Sequence, residues 1–133
     1  MDWQPLIRAA GETRERAHAP YSGFRVGSAL VTGSGTIYSG CNVENRSYGA
    51  TICAERVALG SAVAAGDPTP AAIVVITDTS PPSLPCGLCL QALSEFSSPD
   101  LPINLVNPAG ESRQFRLGEL LPHPFVLPSA DPG

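Results

Sequence analysis

The chain has 133 residues, 43% of them apolar, which is the size of one domain with a single packed core spanning residues 1–133. Its formal charge is −4, it contains no lysine, and its 8 cationic residues are scattered arginines, so no clustered basic face exists to track a phosphate backbone. That balance points away from nucleic acid and toward a small uncharged substrate, while the lack of a long apolar run or a leader-like N-terminus makes a membrane role unexpected and the cytoplasm the expected location.

In chain order, Trp3 to Ala19 predicts an amphipathic helix that would also carry His18. Leu6, Ile7, Ala10 and Ala17 form its apolar side, and Pro20 stops it. Tyr21-Ser22-Gly23 predicts a turn, Phe24 to Thr32 a strand, Gly33-Ser34-Gly35 a hairpin and Thr36 to Asn42 the returning strand. Asn42 and Glu44 are separated by one residue, so an extended chain turns both to the same side. An amide beside a carboxylate suits sugar hydroxyls, which donate and accept; a turn or cap is the competing reading of such a pair. A loop from Asn45 to Thr51 contains Arg46 and Tyr48.

Ile52 to Ala65 predicts a second helix that buries Ile52, Val57, Ala58, Ala62 and Val63 and stops at Gly66. The apolar run Ile73 to Ile76 marks Ala71 to Thr77 as a central strand covered on both faces. A Pro- and Ser-rich loop over 78–84 leads into a third helix, Cys86 to Phe96. Pro102 to Asn107 and Arg113 to Arg116 predict two more strands, Leu117 to Leu121 one helical turn, and the chain from about 122 an irregular Pro-rich tail. The alternation predicts an α/β fold of three layers, a mixed five-stranded sheet with helices on both faces.

Chemistry concentrates at two helix starts. Cys86 and Cys89 are one turn apart on one helix face. With the remote Cys53 they make three soft ligands, one short of a closed tetrahedral zinc site, so a fourth position is left for water. Glu55 stands two residues after Cys53, and an open metal position beside a carboxylate is a hydrolytic arrangement. For Cys53 and Glu55 to reach one metal, Cys53 has to lie at the helix entrance, because mid-helix residues two apart point to different sides. Three thiolates also outweigh one Zn2+, and a net-negative centre acidifies water poorly. Two helix N-termini, each worth roughly half a positive charge, and the full charge of Arg56 can compensate. Cys41 reads as a small buried apolar residue; in a rival reading it closes a four-cysteine structural zinc module. Neither His18 nor His123 is needed as a ligand.

Thr51-Ile-Cys53-Ala-Glu55-Arg56 and Pro85-Cys86-Gly-Leu-Cys89-Leu-Gln91 resemble the zinc motifs of cytidine deaminases, as do Pro20-Tyr-Ser-Gly-Phe24 and Gly40-Cys-Asn42-Val-Glu44-Asn45. The resemblance runs from about Ala19 to Phe125. It implies one Zn2+ per subunit on Cys53, Cys86 and Cys89, Glu55 as the catalytic proton carrier, and Arg56 as the charge-tuning residue. It further implies deamination of cytidine and deoxycytidine in pyrimidine salvage. Phe24, Asn42, Glu44, Ala54, Tyr48 and Phe125 would be the substrate contacts, the last two through a homotetramer with shared sites. A different aminonucleoside, such as blasticidin S, is the alternative substrate on the same fold, and the Cys first ligand argues against a nucleic-acid editor. Two positions depart from the family: Arg46 stands where a small residue is usual, and Leu90 where Arg is usual. Loss of that cation predicts a rate profile that needs higher pH.

Overall fold

Strand β1 (Val26–Thr32) sits at the middle of an antiparallel trio, with β2 (Ile37–Cys41) on one side and β3 (Pro70–Thr77) on the other. Strand β4 (Pro102–Val106) then runs parallel to β3, and β5 (Ser112–Arg116) closes the edge antiparallel to β4, giving the order β2-β1-β3-β4-β5. This is a computed structural model, and it describes residues 1–128; the end of the expected tail, 129–133, lies outside the described residues. The parallel step from β3 to β4 needs a crossover, and helix α3 (Gly87–Phe96) supplies it.

Alternation along the strands divides the core in two. Ala29, Ala72, Val74, Ile76 and Val106 face α1 (Gln4–Arg14), which buries Leu6 and Ala10 against them. On the other face Leu30, Ile73, Val75, Ile103 and Leu105 meet α2 (Ala54–Ala64), α3 and the short α4 (Leu117–Leu120) through Ala58, Leu59, Leu93 and Leu117. The result is the expected three-layer mixed sheet, with β3 covered on both sides as its unbroken apolar run predicts.

Helix α2 lies almost on the sheet backbone. A Cβ on Gly40 would stand 2.5 Å from Ala58 N and 2.6 Å from Ala54 O, so only glycine fits beneath this alanine-rich helix. That contact fixes the height of the α2 N-terminus, and the thiol of Cys53 with it.

Three expectations are corrected. The first helix ends at Arg14 rather than Ala19, and His18 is outside it. His18 N–H donates to Asn42 O (3.0 Å) and His18 O accepts from Glu44 N–H (2.8 Å), so pairing with the segment after β2 replaces further helical bonds. Ile52 is 41% exposed rather than buried, because it precedes α2 and pairs its backbone in both directions with Val43 at 2.9 Å. Val63 is 40% exposed, since α2 turns Ala54, Glu55, Ala58, Leu59 and Ala62 inward instead. The Val43–Ile52 bridge has a functional consequence: it draws Asn42 and Glu44 against the start of α2.

Candidate active site

Cys53 caps α2 and Cys86 caps α3, both in extended backbone (ψ 153° and 164°), while Cys89 sits in the first turn of α3. Cys53 therefore occupies the helix entrance, as shared use of one metal by Cys53 and Glu55 requires. The sulfurs converge. Cys53 Sγ is 3.8 Å from Cys86 Sγ, Cys86 Sγ is 3.5 Å from Cys89 Sγ, and all three lie within 4.8 Å of one another. Tetrahedral Zn–S bonds of about 2.3 Å would separate sulfurs by about 3.8 Å, so the donors have the right kind and spacing for one zinc. Cys41 does not join this group, which removes the four-cysteine structural module.

The electrostatics follow from the same placement. Arg56 Nη2 donates to Cys53 Sγ at 3.6 Å. The hydrogen bond from Cys89, helped by those from Arg56 and Cys86, brings the Cys53 thiol down to about 5, while Cys89, as the donor to Cys53 and itself buried, is pushed up. Glu55 is only 5% exposed, and burial is the main cause lifting its carboxyl above the ordinary range, with the charge of Cys53 adding to it. An upward shift is the direction that suits a carboxyl to proton transfer.

A cavity of about 250 Å³ opens beside the thiols, lined among others by Phe24, Asn42, Glu44, Cys53, Ala54, Glu55 and Cys86. A larger groove of about 580 Å³ lies on the opposite sheet face beneath α1; it holds none of the thiols, and the chemistry belongs to the smaller cavity.

Phe24, Asn42 and Ala54 line this cavity. The Asn42 Oδ1 accepts from Val26 N–H (2.9 Å) and its Nδ2 donates to Phe24 O (2.7 Å), clamping the segment that carries Phe24. Glu44 accepts from the Tyr21 and Ser22 N–H groups at 3.0 and 3.2 Å and from the Ser22 hydroxyl. Tyr48 and Phe125 are outside this cavity, 84% and 67% exposed. The tail is held through the Phe125 backbone, not its ring: Phe125 N–H donates to Gln91 Oε1 (2.9 Å) and Gln91 Nε2 donates to Phe125 O (3.0 Å). Of the two departures, Leu90 is buried in the apolar cluster on the α2–α3 face, and Arg46 is exposed and lines no part of the cavity.

Thr77 and Ser83 also line the cavity and were not singled out from the sequence. Ser83 N–H donates to Thr77 Oγ1 at 3.0 Å, folding the 78–84 loop so that it delivers Cys86. Their only sequence signal is a hydroxyl-rich stretch before Pro85-Cys86.

A model of the cytidine and deoxycytidylate deaminase zinc-binding region matches residues 2–104. The cytidine deaminase of Sporosarcina psychrophila is 43% identical over 125 residues, covering 94% of this chain and 92% of that protein. That of Halalkalibacterium halodurans is 44% identical, with 95% and 96% covered. Among solved structures, cytidine deaminase from Burkholderia pseudomallei superposes with a TM-score of 0.90 at 50% identity, covering 94% of this chain and all of that one (100%). The enzyme from Mycobacterium tuberculosis superposes at 0.83 with 37% identity, covering 96% and 99%. With a family model matching residues 2–104, relatives 43% and 44% identical over nearly the full length and a shared fold, the chain belongs to the cytidine deaminase family.

Proposed function

We propose that the protein hydrolyses cytidine and deoxycytidine to uridine and deoxyuridine, releasing ammonia. The observation that carries this is the buried carboxyl of Glu55 in one cavity with three convergent thiols. Zinc, one per chain on Cys53, Cys86 and Cys89, supplies when bound an acidified water as nucleophile. Glu55 takes that water's proton and passes it to N3 of the pyrimidine as C4 is attacked. It then takes the proton of the hydroxyl now on C4 and delivers it to the 4-amino nitrogen, so that the C4=O bond forms as the C–N bond breaks, ammonia leaves and the carboxylate is regenerated. Arg56 and the N-termini of α2 and α3 offset the excess negative charge of the thiolates. Phe24 walls the base, Asn42 keeps that wall in place and Ala54 borders the ring at the first turn of α2. The carboxylate of Glu44 accepts from the sugar.

The exposed Phe125 and Tyr48, with Leu88 at 68% and Val126 at 72% exposure, support a homotetramer whose neighbouring subunits complete one another's sites. No helix among the described residues is long and apolar enough to cross a membrane, and we place the enzyme in the cytoplasm, in pyrimidine salvage. An ultraviolet assay of purified protein with cytidine, deoxycytidine and blasticidin S tests the reading. Turnover of the first two, abolished by a chelator, is expected; turnover of blasticidin S alone would reassign the substrate.

A further inference from the structure

We propose that Ser22 is a positioning residue for sugar recognition, fixing the carboxylate of Glu44 and the backbone of Phe24 relative to each other through one hydroxyl. The proposal rests on the reading of Glu44 as the sugar acceptor. The turn that carries Ser22 is closed by Gly23 N–H donating to Ala19 O at 2.9 Å, with Gly23 at φ +71°, a conformation that favours glycine. Closed in this way, the turn aims two successive amides, Tyr21 and Ser22, at Glu44 Oε1 (3.0 and 3.2 Å), a concave backbone cradle for an anion. The Ser22 hydroxyl donates to Glu44 Oε2 and accepts from Phe24 N–H at 3.0 Å. On its far side Phe24 is held by Asn42, so Glu44, Ser22, Phe24 and Asn42 form one continuous chain of hydrogen bonds, in which Ser22 stands behind the three residues that line the cavity.

The count of acceptor sites makes this specific. A carboxylate offers about four lone-pair positions. Three of Glu44's are taken by the turn, and the one left, on Oε2, accepts from one sugar hydroxyl and not from two. Ser22 is absent from the wall of the cavity that holds Glu55, so it acts through Glu44 and Phe24 and not by contact with the reacting atoms.

The test is steady-state kinetics of wild type, Ser22→Ala, Ser22→Thr and Glu44→Gln on cytidine, 2′-deoxycytidine and 3′-deoxycytidine, with zinc content measured for each. Wild type is expected to lose more on removal of one hydroxyl than of the other. Ser22→Ala is expected to raise KM for cytidine about tenfold, the size of one charge-assisted hydrogen bond, with kcat within about twofold. It is also expected to narrow the gap between the two deoxynucleosides, and Ser22→Thr to restore both values. If Glu44→Gln raises KM and Ser22→Ala does not, or if Ser22→Ala lowers kcat at constant KM, the positioning role is overturned while the sugar reading stands. If Glu44→Gln leaves KM unchanged, the sugar reading fails and the role of Ser22 with it. Should Ser22→Ala fold poorly, Ser22→Cys, a weaker donor of similar size, replaces it, with an intermediate KM expected and an unchanged KM contradicting the proposal.

Discussion

Arg56 lies one helical turn after Cys53 and donates from Nη2 to its sulfur at 3.6 Å, placing a full positive charge on the first of the three thiolates. The two residues flank Glu55, so one short segment carries the ligand, and in the proposed mechanism also the proton carrier and the counter-charge. With Leu90 buried among apolar neighbours, the compensation of this centre falls to Arg56 and the two helix ends.

Removing that charge should weaken the centre. Arg56→Gln is expected to lose zinc faster to a chelator and to lower kcat about tenfold at pH 7. Less positive charge raises the pKa of the nucleophilic water, so the rising limb of the pH–rate profile should move to higher pH. Zinc retention and the profile, measured together, check this; an unmoved limb would show that the guanidinium does not tune the site.

The height of α2 over the sheet should be equally sensitive. In Gly40→Ala the new Cβ meets Ala58 N and Ala54 O, both backbone atoms that cannot step aside. A loss of about 1–3 kcal/mol in denaturant unfolding is expected, with reduced zinc binding because Cys53 moves with the helix. Gly33→Ala is the control: nothing lies within 4 Å of its added Cβ and its stability should hardly change.

Asp67 predicts a pH dependence away from the metal. Its carboxylate accepts from Thr32 Oγ1 (2.6 Å), Ser34 Oγ (2.7 Å) and Tyr38 OH (3.3 Å), and the Thr32 bond is the largest cause holding its pKa below the ordinary value. A depressed folded-state pKa gives stability that is present above the unfolded value of 3.8 and lost as pH falls through the folded one. Asp67→Asn should therefore melt below wild type at pH 7, and the difference should shrink below pH 3.8. A gap that is constant with pH would contradict the assignment.

The tail separates stability from catalysis. Its described part is tied to α3 through Gln91 and the Phe125 backbone, while the Phe125 ring stays in solvent. Truncation after Pro122 is expected to leave the melting temperature within about 2 °C, the effect of well under 1 kcal/mol, and to cut turnover about tenfold or more. A large drop in melting temperature would make the tail a structural strap instead.

The thiols and Glu55 were legible in the sequence because their chemistry is local: residue type, spacing and helix start together define a metal site. The sheet was legible for a similar reason, since the run Ile73 to Ile76 and the alternating strands around it carry their own period. What was hidden depends on distant backbone pairing. His18 leaves the first helix because residues 42–44 take its peptide groups, and Ile52 is exposed because Val43 takes its own. Ser22 looks like any turn serine until Glu44, far along the chain, is seen to rest on it. Asn42 was read as a sugar ligand or a cap, and the structure gives it a clamp's bonds at the cavity wall.

The central claim is that Glu55 moves the protons of a hydrolysis at a three-thiolate zinc. Its most direct test is ammonia release from cytidine by zinc-loaded Glu55→Gln beside wild type, with metal content measured in the same samples. The account predicts equal zinc and a rate reduced by about 10²–10⁴-fold or more in the variant. A zinc-replete variant that releases ammonia at the wild-type rate would contradict it.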